Sequence, residues 1–582
     1  MYNKKRSATT PFKDAGQPGN LLHGPMKRIF WPVVAAIAAA AGIIEVRSAL
    51  GETQTWDEGI HISAGYSYLT LGDYSWNIEH PPLVKIVSAM PLAALGLVAE
   101  RFGPDGKLKD QVHYGVDFLY ANRRPADTIL IAARSANILL TLLFIAALAC
   151  WTRRRWGPAA GLCAAALCAF DPNLIAHGRY VTTDYPLTVF FFFSCVLWVE
   201  YLESGGRSRL LAASAAFALA MIVKFSAILL IPPLGLLYLI CWVRRPSEFP
   251  VRRACAAAVA LSGVLALAVI VVYWPETVRC FRTNVLPLAT VVNQENFIGQ
   301  ALAWLGLKLH LPAHAYLYGL AAVAEHNSGG HESYLLGMRS KTGFWYYFPV
   351  VFAVKSTVTA LAATLLVIVA SAWVLIRRGF KAITPMALGL ALPPVIYFVF
   401  SMTSAINLGM RHILPIYPFL YVAAAALLAQ VPRTWKSAFL MAVLCAGQIA
   451  ECTSIYPDYL AFFNTLAGGP GRGPEYLVDS NIDWGQDVKK LVHWLDAHGT
   501  RRARVFYFGN AQLRYYGVNE LGYPDPLDQK GWDAIDDYCV ANVTPLEGIY
   551  SPLNTLAPLR LRQPVAKVGW SMYVYDLRKP KH

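Results

Sequence analysis

Long apolar runs broken by short arginine-rich clusters limit what this chain can become more than any motif does. Hydrophobic residues make up 56% of the 582 residues and charged residues only 15%, and the apolar residues come in continuous runs rather than in alternation, as in helices that cross a bilayer. A crossing segment must satisfy its own backbone hydrogen bonds, so the class expected is an all-α polytopic membrane protein. Reading the runs between charges puts spans near 29–48, 127–150, 157–170, 185–202, 210–223, 226–243, 254–274, 349–376, 383–402, 412–430 and 437–454, about eleven in all. Runs 157–170 and 210–223 are short for a full crossing and read as tilted or partial spans, or as spans that border a cavity.

The net charge of +15 sits largely in clusters between these runs: Arg153 to Arg155, Arg207 and Arg209, Arg244 and Arg245, Arg252 and Arg253, Arg377, Arg378 and Lys381, then Arg433 and Lys436. Such clusters mark cytoplasmic loops, not a nucleic-acid surface. The tail 1–28, with Lys4, Lys5, Arg6, Lys13, Lys27 and Arg28, places the N-terminus in the cytoplasm. The run from Ile29 reads as an uncleaved first span, since it continues through Glu45 and Arg47 with no small-residue cleavage site.

Alternation then leaves 49–126, 171–184, 275–348, 403–411 and everything after 455 outside. The membrane domain is expected over 29–454, with external loops 49–126, 171–184 and 275–348. Gly468-Gly469-Pro470-Gly471 and Gly473-Pro474 break the chain after Tyr456, and 455–582 reads as a small external α/β domain with a helix at 487–498 and strands at 503–508 and 567–575. The stretch 83–99, interrupted by Pro91 and Gly96, reads as a helix along the outer surface or a re-entrant hairpin. Ten cysteines include no CxxC pair or zinc spacing; Cys280, Cys452 and Cys539 lie outside the spans and could pair.

Candidate chemistry gathers at the outer ends of spans. Asp57 and Glu58 follow the first span, where partial burial would favour proton uptake by a carboxylate and suit a general base. Asp184 opens a span, either capping its helix or facing a cavity. Lys224 interrupts apolar sequence, a costly place for an ammonium without an anion unless it snorkels, and Arg411-His412 enters a span from outside, where a guanidinium can fork onto phosphate or anchor at the interface. Glu79-His80 precedes Pro81-Pro82, which stiffens the loop; these two side chains would bind substrate, brace the loop or ligate a metal with His61, His314, His326 or His331, although no histidine spacing imposes a site.

The acidic pair Asp57-Glu58, the segment Glu79-His80-Pro81-Pro82-Leu83, Thr182-Thr183-Asp184, Lys224-Phe225-Ser226 and Gly409-Met410-Arg411-His412 together resemble the GT-C polytopic glycosyltransferases that use lipid-phosphate-linked sugars. Tyr456-Pro457-Asp458, Gly468-Gly469-Pro470 and the acidic stretch Asp479 to Asp487 are similar to a bacterial branch of that family. The resemblance implies a bacterial inner-membrane enzyme that moves a sugar from a polyprenyl phosphate to a hydroxyl of a lipid or glycan at the periplasmic face. It implies Asp57 as base and Asp184 as a second catalytic carboxylate that orients acceptor or loop. Lys224 and Arg411 would stabilise the departing phosphate, with Glu58, Glu79, His80 and His412 contributing to substrate binding. No cofactor is required by the pattern, and a divalent metal stays open. His80 stands where the aminoarabinose transferases of the family carry Lys and the protein O-mannosyltransferases carry His. The loop 275–348 is too short for the β-trefoil domain that the mannosyltransferases insert mid-chain, so a protein acceptor is the alternative rather than the expectation. From another class, a transporter or flippase is the rival; it would place charges at mid-membrane in matching halves, whereas these acids gather at span ends.

Overall fold

The computed structural model describes residues 23–100, 110–283, 314–431, 435–524 and 528–579. Among them, eight helices are long and apolar enough to cross a membrane, or nine if one bent pair counts as a single span. The chain is a multi-pass membrane protein. Of the eleven runs, the shortfall lies where length was short. The run 157–170 becomes Pro158–Ala169 followed by Pro172–Gly178, bent by 67°; Asp171 caps the second piece, accepting from the backbone N–H groups of Asn173 and Leu174. The run 210–223 becomes the 17-residue helix Arg207–Val223, and 383–402 becomes Pro385–Ser401, which contains Pro393 and Pro394. The run 349–376 breaks at Ser356 into Tyr347–Lys355 and Val358–Arg378.

The helix Asp184–Ser204 is the most enclosed of the spans, and Phe191 and Phe192 pack edge-on to Tyr397 and Phe419 around it. Val251–Val272 lies at the other extreme: Val259, Leu267 and Val271 are exposed, an apolar face that suits contact with lipid. The arginine clusters stitch one end of the bundle together. Arg155 pairs with Glu203 at 2.6 Å, Arg253 donates to the Tyr201 carbonyl, and Arg244 donates to the carbonyls of Phe380 and Ile383. Because the helices run to and fro, Asp184, Lys224 and Arg411 fall at the opposite end.

At that end the segments between the long helices fold over the bundle. The helix Glu58–Leu71 packs so tightly on Leu83–Ala89 that a Cβ on Gly65 would sit 2.1 Å from the Lys85 carbonyl oxygen. The stretch after Leu83 is helical as far as Leu95, with Val84, Lys85, Ser88, Ala89 and Leu92 buried against the protein. A hairpin of β1 (Ser333–Leu335) and β2 (Met338–Ser340) follows the helix His314–Gly329. The C-terminal part carries a mixed sheet of β3 (Arg502–Phe506), β4 (Asn519–Leu521), β5 (Tyr538–Asn542), β6 (Ala566–Val568) and β7 (Met572–Asp576), in the order β4-β3-β5-β7-β6. β3 runs parallel to β4 and β5, and β7 runs antiparallel to β5 and β6. The helix Val488–Ala497 covers it through Val488, Leu491 and Leu495. The expected strand 567–575 is split into β6 and β7 by a tight turn at Gly569 and Trp570, both with positive φ. Cys452 and Cys539 are free thiols; the Cys280 side chain and the segment 284–313 lie outside the described residues.

Candidate active site

Four charges from four distant stretches meet at the end of the bundle remote from the arginine clusters. Arg411 donates from Nη1 to Asp57 Oδ2 at 2.7 Å and lies 3.9 Å from Asp184 Oδ2. Lys224 Nζ donates to the other oxygen of Asp184 at 2.5 Å. Each is placed by a break in helical structure. Asp57 immediately precedes the helix Glu58–Leu71, Asp184 is the first residue of its helix, Lys224 is an extended residue between Arg207–Val223 and the 3₁₀ turn Phe225–Leu230, and Arg411 follows Gly409, whose φ is +120°. The N-cap residue of the helix Asp184–Ser204 is Thr183, which makes no side-chain cap bond, and the Asp184 carboxylate accepts from Lys224.

The two carboxylates differ in access. The Asp57 side chain is 25% exposed and that of Asp184 only 3%, so solvent reaches the first and hardly the second. Both cations keep donors in reserve: the Arg411 Nε is buried with no hydrogen-bond partner among the described residues, and an ammonium has three protons. Trp484 lies under the Arg411 guanidinium at 4.5 Å from its ring centre, a cation–π contact that fixes the plane of the fork.

The histidines form the adjoining wall. His61 and His80 meet edge to face with ring centres 5.6 Å apart, and His61 Nδ1 lies 2.9 Å from the Val181 carbonyl, which assigns the proton to Nδ1. Burial, reinforced by Lys85, holds His61 down to about 4. Burial, then His61 and Lys224, holds His80 well below its ordinary value, so both rings are neutral at neutral pH. His80 Nδ1 is buried and has no partner among the described residues. Lys85, passed over in the sequence, donates to the carbonyls of Asn77 and His80 and thereby clamps this loop. His412 lies near-parallel to Phe348 at 6.2 Å. Glu79 stands apart from the four charges, 3.8 Å from His326. Among the described residues no three His, Cys, Asp or Glu side chains gather to hold a metal, and the His314 side chain is not among those described.

Glu58 is placed differently from its expected part in substrate binding. It is fully buried in a two-pronged ion pair with Arg134, Oε1 to Nε at 2.8 Å and Oε2 to Nη2 at 2.7 Å. Its remaining lone pairs accept from the backbone of Val181 and of Thr55. A carboxylate so committed has no capacity for substrate and acts by holding Asp57, its neighbour in sequence, against the second external loop. Glu52 and Arg179 repeat the device at 2.7 Å. The segment Asp479 to Asp487 completes the site from the C-terminal side: Asn481 accepts from the Met410 N–H, Ser480 donates to the Leu408 carbonyl, and the Trp484 carbonyl accepts from Trp56 N–H at 2.9 Å. Burial pushes Asp479 upward despite Tyr550, which donates to it at 2.6 Å, and pushes Asp483 to about 8.

A family model described as dolichyl-phosphate-mannose-protein mannosyltransferase matches residues 128–274. No curated protein matches the chain. The chain is similar to the crystal structure of ArnT from Cupriavidus metallidurans bound to undecaprenyl phosphate, at 15% identity, covering 94% of this chain and 99% of that one with a TM-score of 0.47. It is also similar to the Archaeoglobus fulgidus oligosaccharyltransferase in its apo form, at 11% identity, covering 90% of this chain and 72% of that one with a TM-score of 0.46. Residues 128–274, the stretch that the mannosyltransferase family model matches, hold both Asp184 and Lys224.

Proposed function

We propose that this protein transfers a sugar from a polyprenyl-phosphate donor to a hydroxyl of a lipid or glycan at the periplasmic face of the inner membrane. The observation that carries the reading is the row Asp57–Arg411–Asp184–Lys224, two carboxylates and two cations within ion-pair distance at the end of the bundle remote from the arginine clusters. That placement, with the positive-inside rule, supports a row at the outer face.

The chemistry follows from the geometry. The donor phosphate would take the unused donors of Arg411 and Lys224, with the neutral His80 ring beside them. Asp57, the more exposed acid, accepts the proton of the acceptor hydroxyl as its oxygen bonds to the anomeric carbon. The anomeric carbon–oxygen bond breaks, and its electron pair leaves on the phosphate, where the cations meet the growing charge. Asp184 holds Lys224 and balances the cations. Displacement from the side opposite the phosphate would invert the anomeric centre.

Purified protein incubated with a panel of polyprenyl-phosphate sugars and membrane extract, followed by mass spectrometry of lipids, glycans and proteins, tests the reading. A mass increase of one sugar on a lipid or glycan is expected. Consumption of no donor would refute it, and label found on protein instead would favour the O-mannosyltransferase alternative.

A further inference from the structure

Five aromatic rings form a series that begins beside Asp57 and ends beside His80. Trp56 stacks on Phe508 at 5.2 Å and 19°, and Phe508 stacks on Tyr550 at 5.4 Å and 13°. Tyr550 meets His331 edge to face at 5.6 Å, and His331 lies parallel to His326 at 6.0 Å. His326 in turn reaches Glu79, the residue before His80. The members come from the segment before Glu58–Leu71, the helix His314–Gly329 and the loop after it, and the C-terminal part of the chain, so no single element explains their alignment.

Two further facts point to a ligand. Tyr550 is 42% exposed although both its ring and hydroxyl are held, the hydroxyl donating to Asp479 at 2.6 Å and lying 3.2 Å from His331 Nδ1. Tyr550 and Asp479 also both adopt left-handed backbone conformations, φ +59° and +58°, a cost for non-glycine residues that clusters at binding and catalytic sites. The chain thus bears strain at two hydrogen-bonded residues to hold an aromatic ring out toward solvent beside a carboxylate that also feels Arg411.

We propose that this ring series is a saccharide subsite that holds a pyranose of a glycan acceptor and presents one of its hydroxyls to Asp57. The inference rests on the transferase reading and names its acceptor class. A pyranose has one face of C–H bonds, which matches the negative face of an aromatic ring, and a rim of hydroxyls, which matches Asp479, Glu79, His326 and Glu332. An acyl chain has nothing to offer the lone pairs that these groups keep beyond their partners within the protein, whereas a saccharide's hydroxyls can donate to them.

Saturation-transfer NMR on the full-length protein in detergent micelles tests this, with methyl β-D-glucopyranoside and chitotriose as probes and sorbitol as the ringless polyol control. Saturation is expected on the ring C–H protons of both glycosides and not on sorbitol, falling at least threefold in Tyr550→Gly and in Trp56→Leu. Glycine suits the positive φ at 550, so Tyr550→Gly should fold, and an unchanged melting temperature verifies that. Equal saturation in both variants, or in sorbitol, overturns the subsite. So does absence of glycoside binding in protein that still moves sugar from a polyprenyl phosphate, which would leave the transferase reading standing. Ring-dependent glycoside binding in protein that consumes no donor would keep the subsite and remove the transferase reading.

Discussion

Arg134→Leu isolates the buried pair that holds Asp57 in place. Arg134 makes four hydrogen bonds, two to Glu58 and one each to the carbonyls of Ala49 and Thr53, and both side chains are fully buried. Removing the guanidinium leaves the Glu58 carboxylate with its bonds from Val181 and Thr55 but no counter-charge, and takes a donor from two carbonyls, in a site closed to water. Breaking a buried pair from one side costs about 3–5 kcal/mol, roughly two to three and a half powers of ten in the unfolding equilibrium at about 1.4 kcal/mol per tenfold. In Glu58→Leu/Arg134→Leu no charge is stranded, so about half or more of the loss should return, and the double-mutant cycle should show coupling of about 2 kcal/mol or more. Thermal unfolding in detergent, followed by the near-ultraviolet signal of the tryptophans, measures the stability. Transfer should stay impaired in the double variant, because the tie between Asp57's neighbour and Val181 is gone. A single variant within about 1 kcal/mol of the parent, or a double variant with full transfer, would refute the argument that this pair positions the base.

His61 should make the protein acid-labile. Its folded value of about 4 lies below the ordinary 6.5, so the unfolded chain binds the proton first and stability falls as pH drops from 6.5 to 4, by on the order of 3 kcal/mol in full. A melting-temperature profile against pH should flatten in His61→Gln, and an unchanged profile would contradict this. Trp484→Leu removes the ring under Arg411 and should weaken binding of undecaprenyl phosphate by about two- to thirtyfold, equivalent to about 0.5–2 kcal/mol, measurable by titration calorimetry; unchanged affinity would remove the cation–π contact from the account. Gly65→Ala places a methyl against the Lys85 carbonyl and should cost about 1–3 kcal/mol, lowering the melting temperature while leaving Asp57 chemically intact.

The helical membrane class was legible because apolar run length depends on the bilayer and not on tertiary detail. The four charges stood out for other reasons: Lys224 because apolar sequence makes a lone ammonium expensive, and Asp57, Asp184 and Arg411 because they stand at the ends of apolar runs and in segments that resemble the GT-C family. That they pair with one another could not be read, since they come from residues more than 350 positions apart in the case of Asp57 and Arg411. Glu58 looked equivalent to Asp57 in sequence, and only the packing of Arg134, hidden in an apolar run, separates a buried anchor from an accessible acid. Lys355 was hidden in the same way. It is buried, and its ammonium donates to the Leu460 and Asn481 carbonyls, bracing the segment that carries Trp484. The runs 157–170, 210–223 and 383–402 form helices of 17 residues or fewer, and length alone does not distinguish a crossing from a helix ending at a cavity. The ring series from Trp56 to His326 left no trace at all, because its spacing exists only in three dimensions.

The central claim is that Asp57 works on the acceptor while Arg411 and Lys224 hold the phosphate. Binding of undecaprenyl phosphate and steady-state sugar transfer, measured side by side for the parent, Asp57→Asn and Arg411→Ala, separates the two roles. Asp57→Asn should abolish transfer yet bind the lipid phosphate at least as well, since Arg411 loses a competing anion, and Arg411→Ala should lose both. Normal transfer by Asp57→Asn, or undiminished lipid-phosphate binding by Arg411→Ala, would contradict the account.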